Sequence, residues 1–169
     1  MTAAGNNPAK KVIIYTDGSS RGNPGPGGYG AVLLFTDSKG ETHRKEISAG
    51  YRMTTNNRME LMAVISALNE LLVPCDVDLY SDSKYIVDAV NEHWIDKWMK
   101  NGWKRNRKDP VANPDLWKLL LSAMNDHQVS FHWVKGHDGV AQNEVCDRLA
   151  VAAAEGSELL EDTGYTEAS

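Results

Sequence analysis

The chain has 169 residues, a formal net charge of −5, 41% hydrophobic and 24% charged residues, values ordinary for a globular protein. That length suffices for one domain with a real core. No apolar run approaches the roughly 18 residues needed to cross a bilayer, and the leading MTAAGNNPAKK lacks the apolar segment of a secretory signal.

These bounds predict a cytoplasmic protein with a short flexible leader over residues 1–10. Cys75 and Cys146 are far apart and in no metal-like spacing, which favours two buried thiols over a disulfide. An acidic chain argues weakly against a nucleic-acid partner, but a polyanion responds to the distribution of charge and not to its sum.

Taken in chain order, KVIIYTDG is a short β-branched run closed by turn residues and reads as a buried strand. Residues 25–30, GPGGYG, match the G-x-G-x-x-G spacing of dinucleotide-binding loops. That loop needs a helix after it, whereas Tyr29 to Phe35 are strand-like, and no Lys-Ser/Thr pair follows. Both nucleotide readings are rejected, which leaves either a tight loop admitting a close backbone or a wide hairpin turn. YGAVLLFTD and ETHRKEISAGY predict two further strands joined by a turn at Ser38–Gly40.

NNRMELMAVISALNELL then switches to helical period, with Asn56 or Asn57 as N-cap and Pro74 as terminator. CDVDLYSD predicts a strand and SKYIVDAVNEHW a helix behind it. The next stretch, KWMKNGWKRNRK over residues 97–108, holds six Lys or Arg, no acid and two tryptophans. A helix from Asn113 to Asn125 with Pro114 at its first position follows. QVSFHWVKG is a strand, AQNEVCDRLAVAAAEG a helix closed by Gly156, and residues 157–169 an acidic tail expected to be mobile. The order implies a mixed sheet with helices on its faces. No repeat or heptad is present, so monomer is the default.

The acids carry the chemistry. Asp17 ends the first strand and Asp82 the fourth, so parallel pairing of those strands brings both to one C-terminal sheet edge. Glu60 stands in an apolar stripe with Val64, Ala67 and Leu71, and Asp147 in one with Ala150, Val151 and Ala154. Each has an ordinary explanation: a turn cap for either aspartate, or an ion pair with Arg58 or a lysine for Glu60. Four acids on elements able to converge make a shared role the stronger reading, since isolated buried carboxylates are expensive unless paired or metal-bound. An oxygen-rich set favours Mg²⁺ or Mn²⁺ over zinc. A zinc site from His132, His137 and Cys146 lacks any standard spacing.

The stretches YTDGSSRGNPGPGGYG, TTNNRMELMAV, YSDSKYIVDAV, WVKGHDG and QNEVCDRLA, in order and spacing, resemble type 1 ribonuclease H in its bacterial form. The resemblance runs from Val12 to LEDTGY near the C-terminus. It implies a ribonuclease H-like α/β fold, a five-stranded mixed sheet with the first three strands antiparallel, flanked by helices. The catalytic domain would span 11–156, with a basic protrusion at about 94–113 and the tail beyond.

The resemblance also implies hydrolysis of the RNA strand of an RNA/DNA hybrid, giving 5′-phosphate and 3′-hydroxyl ends. Asp17, Glu60, Asp82 and Asp147 match the family's catalytic, metal-binding acids, expected to hold two Mg²⁺ ions, or Mn²⁺ in their place, about 4 Å apart. Asp17 is expected to bridge them, Glu60 and Asp82 to complete one site and Asp147 the other. His137 matches a loop histidine that shuttles a proton or helps the product leave. Ser19, Asn23, Asn57 and Glu60 would read the RNA 2′-hydroxyls. Thr55 and Asn113 match a pocket for a DNA phosphate, in which Met53 stands where an arginine is common, with Arg52 adjacent.

The basic stretch matches a protrusion that grips the hybrid. Lys100, Lys104, Arg105, Arg107 and Lys108 would meet phosphates, and Trp94, Trp98 and Trp103 would pack the handle or touch deoxyriboses. Binding through phosphates predicts cleavage largely independent of sequence and a marked salt dependence. Two relatives of the same fold compete with this reading, a transposase or integrase core and a non-catalytic nucleic-acid-binding domain. The first usually carries extra domains, and all four acids argue against the second.

Overall fold

The computed structural model describes residues 10–135 and 141–166. Five strands form one sheet in the order β3-β2-β1-β4-β5: β1 (Lys10–Ser20), β2 (Gly25–Thr36), β3 (Thr42–Thr54), β4 (Cys75–Ser81) and β5 (Gln128–Trp133). β1 pairs antiparallel with β2, and β2 with β3, while β4 runs parallel to both β1 and β5. Parallel neighbours require crossover connections, and the helices supply them.

Alternation along the central strands places Val12 and Ile14 of β1 and Val77 and Leu79 of β4 in one buried layer. Helix α1 (Asn56–Asn69) covers that layer with Leu61, Val64 and Leu68, and α4 (Pro114–Met124) adds Trp117 and Leu120. On the opposite face the rungs Tyr15–Tyr80 and Tyr80–His132 stack at 5.0 and 4.8 Å. Helix α5 (Ala141–Ala154) lies against β1, β2 and β3.

The glycines of GPGGYG belong to β2 and not to a loop or hairpin turn, which corrects the sequence expectation. Their close-approach role holds. A Cβ on Gly28 would stand 2.4 Å from the Ala150 carbonyl oxygen, and one on Gly30 2.5 Å from that of Cys146. Only a strand bare of side chains there lets the α5 backbone sit this near the sheet.

Two helix boundaries also differ from expectation. The N-cap of α1 is Thr55, whose Oγ1 accepts the Arg58 N–H at 3.2 Å; Asn56 and Asn57 are already helical. The helix predicted over 83–94 stops earlier, as α2 (Lys84–Asn91), and α3 (Trp94–Lys100) begins after His93 at φ 58°. The basic stretch therefore starts as a helix and continues as a loop folded back by the Lys104–Pro110 bridge.

The tail is not free. The Leu160 N–H donates to Gly50 at 2.8 Å, its carbonyl accepts from Arg52 at 2.9 Å, and Asp162 bonds Arg58. Local composition reads as solvated, but the partners lie in β3 and α1, distant in sequence.

Both cysteines are buried and unpaired; burial, with the nearby Asp17 charge, pushes the Cys146 thiol up to about 12. Among the described residues, no helix is long and apolar enough to cross a membrane.

Candidate active site

The last parallel rung between β1 and β4 pairs Thr16 with Ser81, so Asp17 and Asp82 leave adjacent strands at the same C-terminal edge. Glu60 approaches from above. Gly18 follows Asp17, and a Cβ there would be 2.4 Å from the Glu60 backbone nitrogen. The missing side chain lets the second turn of α1 rest directly on β1, which brings Glu60 to the strand ends. Asp147 reaches the same place from α5, and all four acids line one cleft of about 390 Å³.

The carboxylate oxygens of Asp17, Glu60 and Asp82 lie within 4.8 Å of one another. Burial, then the charges of Asp82 and Asp147, raises the Asp17 carboxyl to about 8. Glu60 is held well above the usual carboxylate range by burial first and by Asp82 and Asp17 next. The Arg58 partner considered for Glu60 turns away, to Asp115 and Asp162. Two buried oxygens of the site, Glu60 Oε1 and Asp82 Oδ1, have no hydrogen-bond partner among the described residues. Repelling carboxylates with orphaned oxygens fit a hard divalent cation such as Mg²⁺ or Mn²⁺, which takes oxygen ligands and neutralises them.

Ser19 and Asn57 line the same cleft. Asn23 stands at its border, where Oδ1 accepts the Asn56 N–H at 3.0 Å. Asn56, which sequence reasoning passed over as a ligand or clamp, accepts both the Ser20 N–H at 2.7 Å and the Ser20 hydroxyl at 3.0 Å. These bonds staple the Ser19–Asn23 turn to the start of α1.

Thr55 and Asn113 are buried and meet around Arg58, with Asn113 Oδ1 accepting from Nη1 at 3.2 Å. Met53 is exposed, and the adjacent Arg52 is committed to Glu161 at 2.6 Å.

Lys100, Lys104, Arg105, Arg107 and Lys108 all stand exposed on the handle, and Arg105 reaches Asp109 at 3.5 Å. A groove of about 510 Å³ runs between the handle and Asn57 and Tyr85, two residues shared with the carboxylate cleft. Trp94 and Trp98 pack the handle onto the core, with Trp98 edge-on to Trp117 at 5.3 Å. Trp103, at φ 63°, carries the Lys118 ammonium 5.2 Å over its ring.

His137 lies outside the described residues. The zinc alternative finds no cluster among those described: His132 bonds Asp78 at 2.8 Å, and the Cys146 thiol donates to the Tyr15 carbonyl.

A carboxylate centre at the C-terminal edge of a five-stranded sheet ordered 3-2-1-4-5 defines a ribonuclease H-like fold. The RNase H family model matches residues 9–155. The chain belongs to the RNase H family, as a type 1 member.

Among its relatives, a Ribonuclease H of Lachnoclostridium phytofermentans is 61% identical, over 90% of this chain and 97% of that protein. A Ribonuclease HI of Synechocystis is 54% identical, over 91% and 94%. A crystal structure of a type 1 RNase H with the type 2 active-site motif superposes with a TM-score of 0.81 at 37% identity, covering 90% of this chain and 75% of that one. Another, of an RNase H1 in complex with RNA/DNA hybrid, has a TM-score of 0.59 at 28% identity, covering 85% and 96%.

Proposed function

We propose that this protein is an endonuclease that hydrolyses the RNA strand of RNA/DNA hybrids, leaving 5′-phosphate and 3′-hydroxyl ends, largely without regard to base sequence. Family membership and the hybrid-bound relative support the substrate. The observation that carries the chemistry is the pair of buried oxygens, Glu60 Oε1 and Asp82 Oδ1, that find no hydrogen-bond partner among the described residues inside a carboxylate cluster.

Divalent cations, two Mg²⁺ or Mn²⁺ in their place, would supply a water of lowered pKa and charge neutralisation at the departing 3′-oxygen. Asp17 is assigned as the shared ligand because the charges of both Asp82 and Asp147 act on it. Glu60 and Asp82 are assigned to one cation and Asp147 to the other. Asp17 and Glu60, protonated more readily than ordinary carboxyls, must give up their protons to ligate. His137 is assigned, on resemblance, to move a proton or release product.

Ser19, Asn23 and Asn57 are assigned to the RNA 2′-hydroxyls, supported by the stapled turn beside the cleft. Thr55 and Asn113 are assigned to a DNA-strand phosphate, in a pocket that Met53 leaves one cation short. Lys100, Trp103, Lys104, Arg105, Arg107 and Lys108 are assigned to the hybrid beyond the cleavage point. The same reading makes the protein a cytoplasmic monomer.

The test is a gel assay on one sequence prepared as RNA/DNA hybrid, RNA duplex, DNA duplex and single-stranded RNA, with Mg²⁺, with EDTA and with Asp17→Asn protein. Cleavage of the hybrid's RNA strand alone, lost with chelator or variant, is the expected result. Cutting of duplex DNA would move the chain toward the integrase side of the fold, and binding without cleavage toward an inert domain.

A further inference from the structure

Arg58 lies beside Thr55 and Asn113 with its side chain 1% exposed. A guanidinium offers five N–H donors and accepts nothing. Nε bonds Asp162 Oδ2 at 2.7 Å, and Nη2 bonds Asp162 Oδ1 at 2.9 Å and Asp115 Oδ2 at 2.7 Å. Nη1 bonds Asp115 Oδ1 at 3.0 Å and Asn113 Oδ1 at 3.2 Å. All five donors are spent inside the protein, so this arginine has none left for a phosphate.

The bond to Asn113 does something else. Two carboxylates already balance the cation, and the amide adds no charge. Asn113 is the N-cap of α4 at φ 58°, yet its side chain makes no cap bond. An asparagine in this place ordinarily turns Oδ1 to the orphan N–H groups of the helix. Here Nη1 claims Oδ1 instead, so the amide NH2 is turned the other way, toward the Tyr85 hydroxyl, on which it acts as a donor. An NH2 has a second hydrogen to give. Thr55 follows the same logic: its Oγ1 accepts the Arg58 backbone N–H at 3.2 Å, and its hydroxyl hydrogen is the part left to donate. α1 and α4 begin just after these two residues, which brings two positive helix ends together.

We propose that Arg58 is a positioning residue for the DNA strand: touching no phosphate itself, it holds Asn113 so that the amide NH2, beside the Thr55 hydroxyl, meets a phosphate oxygen. The inference rests on the assignment of Thr55 and Asn113 to a DNA-strand phosphate, and adds the residue that sets the direction of the amide donor.

The test measures KM and kcat on a set of RNA/DNA hybrids in which one DNA-strand phosphate at a time is replaced by an uncharged methylphosphonate. Arg58→Lys keeps the charge between the two aspartates but has three donors in place of five, so Asn113 loses its partner. At a temperature where the variant is folded, KM on the unmodified hybrid is expected to rise about three- to tenfold, with kcat within about twofold. In the unmutated protein one methylphosphonate position raises KM. Arg58→Lys loses that position-specific penalty, and it adds little to Asn113→Ala in the double variant. Leu120→Ala, a truncation in the core face of α4, lowers the urea midpoint and leaves both KM and the penalty unchanged.

An Arg58→Lys protein with the original KM, or with the full penalty at that position, would overturn the proposal, as would a Leu120→Ala protein shifted equally. Unmutated protein indifferent to every methylphosphonate would sink the phosphate pocket and the proposal with it. An intact hybrid would instead sink the ribonuclease reading, so the failures are told apart.

Discussion

Arg58 and Asp162, 104 residues apart, are joined by two hydrogen bonds, Nε to Oδ2 at 2.7 Å and Nη2 to Oδ1 at 2.9 Å. The Arg58 side chain is 1% exposed and that of Asp162 7%, and Asp115 takes the other edge of the guanidinium at 2.7 and 3.0 Å. A planar fork between two carboxylates ties the tail to α1 and α4. Removing one acid leaves a buried cation half-satisfied. Asp162→Ala is expected to cost about 3 kcal/mol, read as a lowered urea midpoint with cleavage at permissive temperature largely kept. Asp115 is held below the ordinary carboxylate range chiefly by its bonds to Arg58. Its contribution is therefore complete above the unfolded carboxyl pKa and fades as pH falls through the lowered folded value.

The metal-free site behaves in the opposite sense. Asp17 is raised to about 8, so between the unfolded carboxyl pKa and that value the folded state holds the extra proton. Stability of protein kept in EDTA therefore falls as pH rises from about 4 to about 8 and levels beyond. Asp17→Asn removes the Asp17 share of this slope, Glu60 retaining its own because burial raises it too, and is expected to raise the melting temperature at pH 8 by about 4–8 °C, roughly 2 kcal/mol. Saturating Mg²⁺ should stabilise the unmutated protein and not the variant. Calorimetry at several pH values, with and without Mg²⁺, checks both statements.

Gly18 couples packing to chemistry. A Cβ there would lie 2.4 Å from both the Glu60 nitrogen and the Met59 carbonyl carbon, backbone atoms that cannot rotate aside. Gly18→Ala must lift α1 from β1 and carry Glu60 with it. The expected stability loss is about 1–3 kcal/mol, but the cleavage rate should fall about a hundredfold, because displacing the proposed ligand Glu60 by an ångström would misplace the reacting groups. Comparing cleavage at a temperature where both proteins are folded separates the two effects. A variant with normal cleavage would show that Glu60 tolerates the shift.

The handle should act through charge. Replacing Lys104 and Arg107 together with Gln is expected to reduce the salt slope of hybrid binding by about 2, with similar loss across unrelated sequences. Their exposure makes the change neutral for stability, within about 0.5 kcal/mol. Binding isotherms at three salt concentrations decide it.

Much of the architecture was written locally. Alternation with period two marked the strands, and Pro114 and the apolar stripes marked the helices, because each of these signals lies within one turn or one pleat. Asp17 and Asp82 were legible as a pair because parallel strands place their C-terminal ends together. Glu60 and Asp147 were legible because an acid in an apolar stripe is anomalous without a partner. The order of the strands and the family's motifs brought the rest of the fold into view.

Only the folded chain decided the remainder. Thr55, Asn56 and Asn57 are comparable caps in isolation; the chosen one depends on where Asn23 and Ser20 clamp the start of α1. GPGGYG looks like a loop until α5 lies across it, and a tail rich in acids looks solvated until Asp162 finds a buried arginine. The bond that turns the Asn113 amide joins α1 to the start of α4 across 55 positions in the numbering. The sequence alone determines what each segment prefers, since those energies arise between neighbours along the chain. Which groups are buried together, and hence which carboxyls keep their protons and which cations stay free, is decided only by packing, because burial and charge act through distances that the sequence does not contain.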